Sequence, residues 1–469
     1  MALTICSRRV LLREHDIFVI KPARITVQGS SIERVEVLAD DEGMQCEQGE
    51  LDLREQLVTP AFVNAHTHLA LAFLRGVEAA RVRSNLVEDF YFAYESRLTG
   101  ADIRAFARMG AYESLLAGVG FVWDHYYGGM EVAEALLETG LSGAVAPTLQ
   151  DLAGPDRDGA EQALAATLEL HASERHRQAG IVAALGPHAT DTVSPALFRR
   201  VAELAEKHEL PVHLHLAQSY DELARVEARE GRSPLALLAR EGILTRAPQV
   251  VMAHGLFASI HDLGSLDPTR HTLVYCPSSQ MQFGFPAPVT LWSELGVSWV
   301  VATDCASSND SMNLQKELRL CHGAATFGVS SGIDYASFLA TGDASHARET
   351  WQDRTERAAA WSKEVGAERL LARVFQRAGQ LHPQLTCGVI EPGALANLVA
   401  WDSEHPAFWP PHNLLRSLAM ADTTQAIHSL IVAGKLVGES GRLVESVVGS
   451  APYREARREA SRRLEALLR

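Results

Sequence analysis

Long apolar runs are missing from this chain. No uncharged segment of about 18 or more apolar residues occurs, so no membrane span is expected. Basic runs are equally scarce: 43 Lys and Arg stand against 58 Asp and Glu, for a formal charge of −15. The one basic stretch lies near the C-terminus, and this balance argues against nucleic acid as a partner. Cysteine is sparse as well, with six residues at 6, 46, 276, 305, 321 and 387 and no C-x-x-C pair. That usage fits a reducing compartment rather than a disulfide framework. The N-terminal apolar run is broken by Arg and Glu and leads to no small-residue cleavage site, so a cytoplasmic protein is expected.

What is present is ordinary globular material, 47% hydrophobic and 22% charged over 469 residues, enough for one large domain and a small one. This composition leaves the fold class to the order of elements, and the charge balance suits a small neutral or modestly charged substrate. Residues 1–57 alternate apolar and polar in short pieces separated by Gly and Asp clusters, as strands of a small β unit do. From residue 58 the texture changes to β-like apolar runs alternating with amphipathic stretches of helical length. Eight such runs are placed at 61–66, 120–126, 143–149, 181–187, 211–215, 249–253, 272–276 and 298–303. Helices are expected between most of them, at 102–117, 159–178, 195–208 and 312–327. Eight βα repeats predict a (β/α)8 TIM barrel.

The charged, Ala-rich stretch 334–380 reads as helices covering the barrel, and 388–402 and 426–437 return to strand texture. Strands from both ends of the chain are expected to join in one small β-sandwich domain. The division expected is therefore 1–57 and 381–450 for the small domain, 58–380 for the barrel, and a C-terminal helix at 451–469 packed by Leu464, Leu467 and Leu468.

The first barrel run, Thr59-Pro-Ala-Phe-Val-Asn-Ala-His-Thr-His68, ends in two histidines with one residue between them. On a strand, alternate side chains point the same way, so His66 and His68 aim two imidazoles at one point. Alone the pair is weak, because 19 histidines give about one H-x-H by chance. Position strengthens it. Barrel enzymes carry their chemistry at the C-terminal ends of strands, and His188, His215, His254 and Asp304 end or follow strands four, five, six and eight. Imidazoles and one carboxylate on a common rim suit a divalent ion, Zn2+ or Fe2+.

The strings Asn64-Ala-His-Thr-His68, Gly186-Pro-His-Ala189, Val212-His-Leu-His-Leu-Ala217, Ala253-His-Gly255, Cys276-Pro-Ser-Ser279 and Ala302-Thr-Asp-Cys-Ala-Ser-Ser-Asn309 resemble the amidohydrolase superfamily. The resemblance is to the branch of S-adenosylhomocysteine/methylthioadenosine, guanine and cytosine deaminases and triazine hydrolases. It implies one metal ion, zinc first and ferrous iron second, held by His66, His68, His215 and Asp304. It also implies that Asp304 carries protons, that His254 faces the attacking water, and that His188 contacts substrate. The family places its acid/base glutamate three residues after the strand-five ligand, which makes His215 the ligand and His213 its neighbour. Glu95 stands where nucleoside-type relatives bind the sugar; a solvated helical carboxylate is the other reading. Relatives are often oligomers, so a homo-oligomer is the expectation by analogy.

One departure matters most: the expected glutamate is Gln218, whose amide has no ionisable proton to give. Gln218 can still orient a substrate, and either Asp304, His188, Asp221 or Glu222 supplies the proton or the substrate needs none. Asp191 is a second departure, read either as a selector of polar or cationic groups or as a cap for the helix at 195–208. Phe73, Trp123, Tyr126, Tyr127, Phe283 and Phe285 are candidates for an apolar wall or for plain core. The expectation is a metal-dependent hydrolase of a C–N bond in a small heterocyclic or amidine-like compound. Loss of halide or alkylamine from a triazine-like ring, and an impaired barrel kept for binding, are the alternatives.

Overall fold

Apolar runs bounded by turn residues become strands, and the amphipathic stretches between them become helices whose apolar sides cover the strands. The computed structural model describes residues 3–15, 17–38, 45–77, 87–282, 287–330, 339–343, 356, 359–362 and 364–469. The N-terminal strands are β1 (Leu3–Glu14), β2 (Ile17–Gln28), β3 (Ser31–Val37), β4 (Leu51–Asp52) and β5 (Leu57–Pro60). The barrel follows as β6 (Phe62–Thr67), β7 (Val119–Tyr126), β8 (Ser142–Leu149), the pair β9 (Ile181–Ala183) and β10 (Gly186–Pro187), β11 (Val212–Leu216), β12 (Val250–His254), β13 (His271–Tyr275) and β14 (Ser298–Val301). The C-terminal strands are β15 (Leu398–Trp401), β16 (Ile427–Val432) and β17 (Lys435–Val437).

Two parallel sheets, β6 to β10 and β11 to β14, make the barrel wall. One seam is joined by a parallel bridge between Leu185 and Val212. At the other, the Asp304 amide donates to the His66 carbonyl at 3.1 Å. Asn64 strengthens that closure: its Oδ1 accepts from the Thr303 amide at 3.0 Å and its Nδ2 donates to Thr303 Oγ1 at 2.7 Å. All eight expected barrel strands are present within a few residues of their placement, with the fourth broken at Ala184-Leu185.

Val63, Ala65, Phe121, Trp123, Ala144, Ala146, Val274 and Val300 pack into one cluster inside the barrel. A larger cluster lies between strands and helices, where Gly100–Leu116 and Pro195–His208 bury their apolar sides. Outside the barrel, strands from both chain ends form one sheet in the order β17-β16-β15-β5-β1-β2-β3, with β4 beside β1 and a core of its own around Ile5, Ile25, Leu398 and Ile431. The C-terminal helix is Ala451–Leu467. It lies against Gly100–Leu116 through Tyr453 on Tyr112 and the ion pair of Arg463 with Asp102 at 3.1 Å. Of the leucines expected to pack it, Leu467 is buried, Leu464 is partly buried against the core, and Leu468 is exposed. Within 334–380 the described helices include Ala367–Val374 and Gln376–Gly379. No helix among the described residues is long and apolar enough to cross a membrane.

Candidate metal centre and active site

His66 lies on β6 and His68 just beyond it, and strict alternation would put both on the face opposite to Val63 and Ala65. The register of β6 on β7 slips between Asn64 and Thr67. Val63 and Ala65 thus join the inner cluster below, while the rings of His66 and His68 meet above it, and His68 lines the rim cavity. Irregularities of this kind re-aim side chains beside active sites. Three further residues at strand ends, Ala217, His254 and Asp304, have φ of 45°, 77° and 62°. Non-glycine residues pay steric energy in that region, and it is tolerated where surrounding structure fixes a functional side chain.

The imidazoles are arranged with their lone pairs inward. His68 Nδ1 lies 2.5 Å from the His125 carbonyl and His215 Nδ1 lies 2.9 Å from the His188 carbonyl. A carbonyl only accepts, so each Nδ1 carries a proton, and the neutral form of each ring turns a bare Nε2 lone pair inward. Those two Nε2 atoms stand 3.2 Å apart. His66 Nε2 is buried with no hydrogen-bond partner, 3.7 Å from Asp304 Oδ1, and His68 Nε2 is 3.4 Å from the same oxygen. Ligand atoms about 2.0–2.1 Å from one ion in a tetrahedron stand about 3.4 Å from each other. The ligand atoms fall into two overlapping triads of metal-binding spacing that share His66, one with His68 and Asp304 and one with His215 and His254, and a divalent cation there would relieve the crowding of the imidazole nitrogens. His254 closes the set from β12, its ring stacked on His215 at 5.5 Å, and its nitrogen lies close enough to those of His66 and His215 to share a cation with them.

Burial and the surrounding imidazoles hold His66 and His215 far below the usual imidazole range, and burial pushes His188 and His213 down to about 3. Burial also lowers His254, against the opposing pull of Asp304. These imidazoles are thus neutral near pH 7, the form that binds metal. Asp304 is held by Ser279, whose hydroxyl donates to Oδ2 at 2.7 Å, and by the Cys305 amide, which donates to Oδ1 at 2.8 Å. His66 Nδ1 is 2.9 Å from Nε2 of His213, so His213 supports the cluster from the core side.

A cavity of about 330 Å³ opens above the cluster. His68, His188, His215, His254, Asp304, Glu95 and Gln218 all line it; His66 sits beneath. Tyr126 and Tyr127 form part of its wall as expected, but Phe73 stacks on Phe106 and Trp123 sits between His213 and His382, so both are core. Phe283 and Phe285 lie outside the described residues. Tyr91, Phe92, Tyr220 and Phe257 supply the other rings. Tyr91 and Phe92 arrive on a π-helical turn, Val87–Phe92, a rare conformation frequent at functional sites and without a sequence signal.

Asp191 faces the cavity, 3.4 Å from Arg225, and Ser194 caps the helix at Pro195 instead. Glu222 is buried and occupied: Thr190 Oγ1 donates to it at 2.5 Å and the Gln218 amide at 2.8 Å, so it fixes the Gln218 backbone. Two supporting residues escaped the sequence reading. His125 orients His68 through its carbonyl, and its position two residues beyond Trp123 on β7 gives it the inward parity that could have revealed it. Ser279 holds Asp304, and it lies within a string already conspicuous in the sequence.

Residues 57–339 match the Amidohydrolase family, and the chain belongs to that family. It is an enzyme, a metal-dependent hydrolase of C–N bonds other than peptide bonds. Among curated relatives, the 5-methylthioadenosine/S-adenosylhomocysteine deaminase of Halobacterium salinarum is 30% identical over 386 residues, covering 81% of each chain. The 5'-deoxyadenosine deaminase of Methanopyrus kandleri is 25% identical, covering 88% of this chain and 92% of that one. Two solved structures share the fold. An adenosine deaminase from Xanthomonas campestris with bound zinc superposes with a TM-score of 0.77 at 22% identity, over 99% of this chain and 98% of the other. An atrazine chlorohydrolase from Arthrobacter aurescens complexed with zinc gives 0.74 at 19%, over 98% and 100%.

Proposed function

We propose that the cavity hydrolyses a C–N bond of a small heterocyclic or amidine-like compound, releasing ammonia or an amine, with one ion held by His66, His68, His215 and Asp304. The observation that carries this reading is the pair of facing Nε2 atoms of His68 and His215 at 3.2 Å, beside Asp304 Oδ1 and the orphaned Nε2 of His66. Three nitrogens and one oxygen suit Zn2+ or Fe2+. Zinc is the first choice, since both solved relatives named above hold zinc. When bound, such an ion supplies Lewis acidity and lowers the pKa of water to about 7.

The chain's own residues do the rest. Asp304 accepts a proton as the water oxygen attacks and passes it to the departing nitrogen. His254, neutral but retaining one N–H, donates a hydrogen bond to the oxygen as charge builds on it. His188, Glu95 and Gln218 hold the substrate, with Gln218 orienting a ring nitrogen through its amide rather than protonating it. The barrel at 58–380 carries this chemistry, with 1–57 and 381–450 as the supporting domain and 451–469 as a terminal helix. A cytoplasmic location agrees with six unpaired cysteines.

Gln218 favours one second reading, loss of halide or alkylamine from a triazine-like ring, where proton donation to the ring counts for less. Ammonia, alkylamine and halide measured in parallel over aminated purines, pyrimidines and triazines separate the two, with adenosine-type nucleosides first in view of the curated relatives' names. Asp304→Asn is expected to lower turnover by about 10²–10⁴-fold. Unchanged turnover in that variant would remove Asp304 from the chemistry, and no product from any compound would leave only a binding role.

A further inference from the structure

We propose that the substrate of this site is a planar cation, an amidinium or an amino-heterocycle already positively charged on its ring, seated with its charge against Glu95. This rests on the hydrolytic reading above and narrows its substrate class.

Glu95 ends the helical turn that continues the π-helix Val87–Phe92. Its side chain is nine-tenths buried and lines the cavity, yet among the described residues no Lys, Arg or His forms an ion pair with it. The polar group beside it is the Tyr126 hydroxyl. A buried carboxylate without a partner is costly, so proteins keep one where a ligand supplies the missing charge. In the ligand-free cavity burial pushes Glu95 up to about 8, which leaves it mostly neutral near pH 7 and ready to ionise when a cation arrives. The Tyr126 ring is 6.4 Å from that of His68, which puts Glu95 one side chain away from the metal cluster.

The rest of the wall has the same preference. Glu88, Asp191 and Asp221 line the cavity away from the metal cluster, and no Lys or Arg does so among the described residues. Arg225 pairs with Glu88 and Asp191 at the mouth, and Glu95 is not among its partners. Tyr91, Phe92, Tyr126 and Tyr127 add ring faces that attract a flat cation.

Gln218 gives the independent argument. A neutral amino-heterocycle must receive a proton on a ring nitrogen before its carbon is a good electrophile, and an amide has none to give. An amidinium brings that proton with it. The reaction R–C(NH2)2+ + H2O → R–CO–NH2 + NH4+ then closes without an added acid. One C–O bond forms and one C–N bond breaks, both protons of the water end on the departing nitrogen, carried there by Asp304, and nothing is oxidised or reduced. The unpartnered Glu95 and the missing acid at Gln218 thus point to one class of compound.

The test uses zinc-loaded protein at pH 7 and the isosteric pair benzamidine, a cation, and benzamide, neutral. Calorimetry is expected to show benzamidine binding at least tenfold tighter, and Glu95→Gln, checked for unchanged metal content, to shrink the gap to about twofold. Equal affinities in the wild-type protein, or a gap that survives Glu95→Gln in folded protein, would overturn the proposal; the wild-type comparison decides alone if the variant does not fold. Ammonia release is then compared between basic compounds (benzamidine, phenylguanidine) and neutral rings (adenosine, cytosine). Faster release from the basic set, with Gln218→Glu raising the neutral rings toward it, supports the inference. Release from neutral rings alone overturns it while the hydrolytic reading stands, and release from neither set fells both.

Discussion

His213 has no exposure to the cavity, yet it touches the ligand cluster at 2.9 Å through Nδ1 of His66 and lies edge-on to Trp123. Partners of this kind fix a ligand's tautomer and ring angle. His213→Ala is therefore expected to weaken metal binding by about 10–100-fold, read by competition with a chelator of known affinity. Unchanged affinity would reduce His213 to a space-filling core residue. Of the two histidines in β11, both have inward parity, and only depth along the strand separates them: His213 meets the packed core and His215 meets the cavity. Residue types and strand-end positions made the convergence of His66, His68, His215, His254 and Asp304 legible in the sequence. The cavity wall was not, because Phe73 and Trp123 are as aromatic as Tyr91 and Phe257, and burial behind neighbouring elements decides which ring sees the substrate.

At the scale of elements, period and turn residues were enough to place the eight barrel strands, since each is a short apolar run that must be covered by the helix beside it. The register slip in β6, the break between β9 and β10 and the π-turn left no trace, because each depends on which neighbour the backbone meets. Asn397 is the clearest joint between elements. Its Nδ2 donates to the Gly120 carbonyl at 2.8 Å, its Oδ1 accepts from the Ala433 amide at 2.7 Å, and its own carbonyl accepts from Ala61 at 2.9 Å. The side chain thus pins β7 to the turn after β16 in a fully buried setting. Asn397→Ala strands two buried backbone groups and is expected to cost about 2–4 kcal/mol in denaturant unfolding. A loss under about 0.5 kcal/mol would mean that water or a shifted backbone replaces both bonds.

For the molecule as a whole, buried neutral histidines set the response to acid. Burial holds His188 and His213 at about 3 and His382, which bonds the Ala183 carbonyl at 3.1 Å, at about 4, all below the unfolded value near 6.5. As pH falls below 6.5 the unfolded chain takes up protons that the folded chain refuses, so the contribution present above 6.5 is lost progressively toward pH 4. Each fully shifted group contributes about 1.4 kcal/mol per pH unit in that window. The melting temperature of metal-free protein should therefore drop steadily from pH 6.5 to 4; a flat profile would contradict neutral burial. The same protons compete with the metal, which ties acid sensitivity to function.

The most direct test of the account is elemental analysis of purified protein and of His215→Ala side by side. The account predicts about one Zn or Fe per chain in the wild-type protein and near none in a folded His215→Ala variant. Little metal in either protein after reconstitution with zinc and with ferrous iron, or the same content in both, would contradict a metal centre built on His66, His68, His215 and Asp304.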